Sequence, residues 1–172
     1  MTVASTTQLK RPIWHTVVIL TLGLWLGGSL LLDWVIMPSL YVSGMMTQPG
    51  FTSAGYFMFW NFNRIELLSA ALVLTGVLAL GKSQLYHANL AWKAAILSSL
   101  LLAIALINTY FLTPNMCAVG MPLNVFESVQ EIPSVMNQLH AGYWLLEAVK
   151  LSVGGTLLVW CFRQKLKLTN LT

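Results

Sequence analysis

The sequence predicts an all-α integral membrane protein: a four-helix bundle built as two tandem helical hairpins, with both termini on the cytoplasmic or stromal side. Three observations carry this expectation. Of the 172 residues, 57% are hydrophobic and only 8% are charged, against roughly 25% charged in an ordinary soluble domain. Such a chain cannot clothe a water-facing surface. Apolar runs approaching the bilayer-spanning length of about 20 residues recur along the chain. The basic residues gather at alternate ends of those runs, as the positive-inside rule requires.

Span 1 is expected over 13–38. It is too long for a signal-peptide core and lacks a small-x-small cleavage site, so it reads as retained. Lys10 and Arg11 precede it and mark its inner end. Span 2 is expected to begin near Phe57 or Phe62 and to end at Gly81, followed by Lys82. Span 3 is expected over 91–113, with Lys93 at its inner end, and span 4 over 139–162, followed by Arg163, Lys165 and Lys167. The intervening outer loops, 39–56 and 114–138, contain no Lys or Arg. Cys117 falls outside and Cys161 near the inner end of span 4, too far apart for a disulfide.

The two outer ends resemble each other. PSLYVSGM (38–45) and PNMCAVGM (114–121) share Pro, Gly and Met at an offset of 76 residues. Glu66 and Glu147 also fall on the second helix of each hairpin. The pattern reads as two parallel repeats about an axis along the membrane normal.

Charged residues inside spans are the chief candidates for function. At 1.5 Å per residue, Asp33 lies about 30 Å from Ile13 and Arg64 about 27 Å from Lys82. Both estimates fall near the outer boundary, with Glu66 at most a turn deeper, so Asp33 is expected to pair with Arg64. Glu147 lies about 12 Å inside Leu139, close to the bilayer centre. Lys150 is one turn further in, on an adjoining face. His140, Tyr143 and Glu147 are spaced to share one face of span 4. That stripe is expected to turn inward, either as a clamp toward Asn108 or Tyr110 of span 3 or as a proton, ion or cofactor site.

His15, at the inner end of span 1, and His140, at the outer end of span 4, lie too far apart to share an iron. His87 sits in the inner turn. A bis-histidine haem is disfavoured, while a single axial ligand to haem or chlorophyll from His140 or His15 stays open. Apart from Met1, the methionines (Met37, Met45, Met46, Met58, Met116, Met121 and Met136) all fall at the outer end or in the outer loops. Thioether, thiolate and imidazole together suit Cu(I), which makes Met116, Cys117, Met121 and His140 a candidate metal set. The competing reading is an adaptable docking surface for other membrane proteins, supported by the aromatic run FTSAGYFMFWNF (51–62). GG at 27–28 and 154–155 is expected to allow close helix approach.

The basic residues form no patch with interleaved aromatics, so a nucleic-acid partner is not expected despite the net charge of +4. No phosphate loop, dinucleotide fingerprint, CxxC, HExxH or nucleophile elbow is present, and enzymatic activity is not expected. WHTVVILTLGLWLGG and DWVIMPSLY in helix 1, NTYFLTPNM at the end of helix 3 and NQLHAGYWLLEAVKL opening helix 4 resemble the small four-span family of unknown function grouped with transmembrane protein 205. The short form is similar to cyanobacterial members. Asn115 between Pro114 and Met116, and the acidic Glu147, depart from the family's usual pattern. The resemblance implies a thylakoid or plasma membrane of a phototroph. It is compatible with an accessory protein that docks on, or assists assembly of, a larger and plausibly photosynthetic complex. A metal-, haem- or pigment-binding redox protein is the alternative.

Overall fold

A computed structural model describes the backbone of residues 4–45, 48, 50–82, 88–126 and 134–169, and the side chains within 13–45, 48, 50–82, 89–120 and 134–164. The chain forms four membrane-length apolar helical rods, Ile13–Val42, Phe51–Lys82, Asn89–Gly120 and Ser134–Gln164. They are spans 1 to 4. Each packs on the next and span 1 closes against span 4, giving an antiparallel all-α bundle. Large apolar side chains such as Leu24, Leu68, Leu145 and Val159 face outward, where a bilayer would cover them. His87, Met46, the side chain of Met121 and the loop 127–133 lie outside the described residues.

The rods are longer than expected at their outer ends. Helix continues through Met37–Val42 and Thr113–Phe126, and span 2 already begins at Phe51. Most of the expected loops 39–56 and 114–138 is therefore helical. At about 45–48 Å the rods exceed the hydrocarbon thickness of about 30 Å. The outer turn from span 1 to span 2 is made by Gly44 and Gly50, both at positive φ, where glycine has no Cβ to clash.

Pro38 and Pro114 do not end their helices. A proline has no N–H and its ring collides with the carbonyl four residues back. In both spans the backbone widens into a π-turn just ahead of it, Leu31–Ile36 and Asn108–Leu112. The Met37 N–H donates to the Leu32 carbonyl, and the Thr113 N–H to the Asn108 carbonyl. These bonds lie 76 residues apart, the offset of the sequence repeat. Buried positions follow it too: Val18, Leu22, Trp25 and Ser29 of span 1 match Ala94, Ser98, Leu101 and Ala105 of span 3. The hairpins repeat in backbone as well as in sequence.

The inner half of the bundle packs a mainly apolar layer around Val18, Leu22, Val73, Leu101 and Leu157, all 0% exposed. Gly76 lets spans 1 and 2 meet, since a Cβ there would fall 2.3 Å from Val18 Cγ2. Gly154 does the same for Leu26 at 2.7 Å, and Gly28 for Phe62 at 3.3 Å, whereas Gly27 and Gly155 have nothing within 4 Å. One glycine of each GG pair therefore serves close approach, and Gly76 is the tighter site.

Gly76→Ala is expected to destabilise the bundle by about 1–3 kcal/mol through overpacking against Val18, while Gly155→Ala leaves stability unchanged. Thermal unfolding in detergent compares them; equal melting temperatures would contradict the close approach.

Candidate functional site

Span 2 reaches Phe51, so Glu66 lies at the middle of its helix rather than near the outer boundary. There it meets span 4. Lys150 of span 4 reaches across the bundle to Glu66 Oε1, in a buried ion pair. The same ammonium lies 2.6 Å from Glu147 Oε2, one turn away on its own helix. Span 1 adds two neutral donors to Glu66 Oε1: Trp25 Nε1 at 2.9 Å and Ser29 Oγ at 3.1 Å. Glu66, Glu147 and Lys150 are each at most 2% exposed. A charge at this depth is tolerated only with partners facing the bundle interior, which is the arrangement found.

Asp33 forms the outer edge of the cluster. The π-turn at Leu31–Ile36 carries it into the interior, where it is 1% exposed. Tyr143 Oη donates to Asp33 Oδ1 at 2.7 Å, joining span 4 to span 1. The carboxyl of Glu147 is an electrostatic neighbour of Asp33. Those two carboxyls come within hydrogen-bonding reach of each other, and neither Asp33 Oδ2 nor Glu147 Oε1 receives a donor from any other group among the described residues.

The expected Asp33–Arg64 pair does not form. Arg64 is exposed, and its guanidinium stacks over Trp60 with Cζ 3.6 Å from the ring centroid. The two residues agree in depth but point in different directions around their helices. Nor does span 4 clamp to Asn108 or Tyr110. Tyr110 is 67% exposed, and the Asn108 side chain has no hydrogen-bond partner among the described residues. Span 3 is instead held by Asn63 of span 2, whose amide donates to Thr113 Oγ1 at 2.7 Å.

Above the cluster, in the outer half, lies a cavity of about 500 Å³ lined by all four spans. Asp33 and Tyr143 form its polar floor, and Phe51, Tyr56, Phe59 and Trp144 contribute aromatic wall. Phe59 and Trp144 both pack edge-on against the Tyr143 ring. The outer end of span 1, Met37–Val42, makes no backbone contact with the other spans among the described residues, although Met37 and Tyr41 line the cavity. Met116, Cys117, Met136 and His140 line it as well, so part of the outer methionine set turns inward. His15 lies at the opposite end of the bundle, buried in span 1. Among the described residues no three His, Cys, Asp or Glu side chains converge as a metal site.

Comparison with protein-family models, curated proteins and solved structures returns no match. What is established is the class, a multi-pass helical membrane bundle with a polar centre and an outer cavity.

Lys150→Leu is expected to leave Glu66 and Glu147 without their shared cation and to cost about 3–5 kcal/mol, whereas Lys150, Glu66 and Glu147 all replaced by Leu is milder, its remaining cost being the Trp25 and Ser29 donors that lose Glu66. Glu147→Gln keeps the Lys150–Glu66 pair and is milder than Lys150→Leu. Tryptophan-monitored melting in detergent ranks the three; a wild-type melting curve for Lys150→Leu would refute the pairing.

Proposed function

We propose that the protein is a non-enzymatic membrane binding protein that takes a cationic solute from the outer side and exchanges it for protons held by the buried carboxyls. The carrying observation is the buried Asp33 carboxyl at the floor of an aromatic-walled cavity, set against the Glu147 carboxyl with no cation at its own oxygens. Glu66 and Glu147 pair with one ammonium, Lys150, and the Asp33 carboxyl lies within its field. Fully ionised, that group carries two uncompensated negative charges in a low-dielectric interior, where unpaired charge is strongly disfavoured. Protons or an incoming cation restore neutrality. Aromatic faces favour a cation at the same place. The apolar inner layer limits access to the outer side, so this conformation supports binding rather than a continuous pore.

Orientation follows the positive-inside pattern, with both termini cytoplasmic or stromal. Placement in a thylakoid or plasma membrane of a phototroph is a proposal resting on the family resemblance. A second reading, an accessory protein docking on or assisting assembly of a larger and plausibly photosynthetic complex, draws support from outer residues such as Tyr41 and Phe57, 72% and 62% exposed. In a membrane protein such residues also serve as lipid contacts.

Two cations that sulfur ligands do not bind, tetraphenylphosphonium and tetraethylammonium, test the exchange on detergent-purified protein in weak buffer. At least one is expected to release protons on binding and to bind more tightly as pH rises, because protons compete for the same carboxyls. Asp33→Asn is expected to remove the proton release and weaken binding at least tenfold, while Arg64→Gln leaves both intact. No proton release with either cation, or wild-type behaviour of Asp33→Asn, overturns the reading. Co-purification with large subunits alongside that result would favour the accessory role.

A further inference from the structure

We infer that the mouth of the outer cavity is a site for a soft monovalent metal ion of the Cu(I) class, held by Met116, Cys117, Met136 and His140. The inference rests on the cation-binding reading and names the cation. These four residues come from spans 3 and 4 and line the same cavity. A Cβ placed on Gly120 would fall 3.4 Å from Met136 Cε, so the Met136 thioether lies against span 3 at Gly120. The spans are antiparallel. One turn deeper on span 4 is His140, and one turn deeper on span 3 are Met116 and Cys117. The register therefore brings the Met116 thioether, the Cys117 thiol and the His140 imidazole to one level of the cavity wall, with the Met136 thioether one turn above them. Gly120 makes the approach possible, since any side chain there would also meet Thr52 Cγ2 at 2.9 Å.

The imidazole is prepared for a metal. His140 Nδ1 lies 2.9 Å from the Met136 carbonyl oxygen one turn back on its own helix. A carbonyl only accepts, so Nδ1 carries a proton, and in the neutral ring the lone pair is on Nε2. Metal-binding histidines are commonly held this way by a second partner. Thioether and thiolate sulfur select Cu(I) over the hard divalent ions. Cys117 binds as the thiolate and gives its proton to solvent. Met37 also lines the cavity, on the free-standing outer end of span 1, above Asp33. A cation leaving the sulfur ring for the floor would meet that carboxylate next.

Cu(I) is titrated anaerobically into the purified full chain against a chromophoric Cu(I) chelator, with melting temperature recorded for each variant. The expected result is one tightly held Cu(I) per chain. Met116→Leu with Cys117→Ser, and separately His140→Ala, should weaken affinity at least tenfold without lowering the melting temperature. Cys161→Ser, which removes the other thiol, should not. Tetraphenylphosphonium binding, where observed, should survive the Met116→Leu, Cys117→Ser change. Absence of Cu(I) binding, or binding that those variants leave untouched, overturns the metal site. If tetraphenylphosphonium still releases protons in that case, the cation-exchange reading stands without it. If Cu(I) binds as expected but neither tetraphenylphosphonium nor tetraethylammonium releases protons through Asp33, the metal site stands and the exchange reading falls.

Discussion

The structure depends on one side chain crossing the bundle. Lys150 leaves span 4 and reaches Glu66 on the diagonally opposed span 2, while holding Glu147 on its own helix. Apolar packing between helices is weakly directional in lipid, because the surrounding tails are as apolar as the helices. A buried ion pair across the diagonal is directional. It requires spans 2 and 4 to sit at one relative height, and Trp25 and Ser29 of span 1 add the height of a third helix. Span 3 is the exception. It holds on through Asn63 and Thr113, and through apolar contact.

The paired π-turns explain how polar residues reach that centre from helices interrupted by proline. A π-turn accommodates one more residue than an α-turn, which rotates everything beyond it relative to the lower helix. In span 1 the turn contains Asp33 and in span 3 it contains Asn108, and both side chains are buried. The same backbone device thus delivers a carboxylate in one repeat and an amide in the other. The repeats are alike in backbone and different in charge, so the centre of the bundle is chemically lopsided.

Much of this architecture was legible in the sequence. Four spans, the hairpin repeat and the central depth of Glu147 and Lys150 follow from run lengths, an offset of 76 and the rise per residue. The inward turn of Tyr143 and Glu147 follows from helical periodicity within one element, whereas His140 on the same stripe is exposed at the cavity edge. The misread features all involve relations between elements. Glu66 is expected too high because span 2 is expected to begin near Phe57 or Phe62, whereas the helix begins at Phe51 and lengthens span 2 outward. Asp33 and Arg64 agree in depth, but depth does not report the direction in which each side chain leaves its axis. The π-turn that rotates Asp33 inward has no signature beyond a nearby proline, which more often ends a helix. The cavity requires the tertiary arrangement of four outer ends, and no single stretch encodes it.

The depth of the cluster also makes it electrical. Moving one elementary charge across a whole membrane at 100 mV is worth about 2.3 kcal/mol. Glu66 and Glu147 lie near the middle of rods that span it, and the apolar layer beneath them puts the steepest drop of potential on the inner side. A cation drawn from the outer side to the cluster, with no matching charge moving back, therefore crosses part of the field. An inside-negative membrane deepens its well and a depolarised one makes it shallower. Proton exchange of equal charge cancels that effect, so the voltage dependence of occupancy measures how many protons leave for each cation that enters.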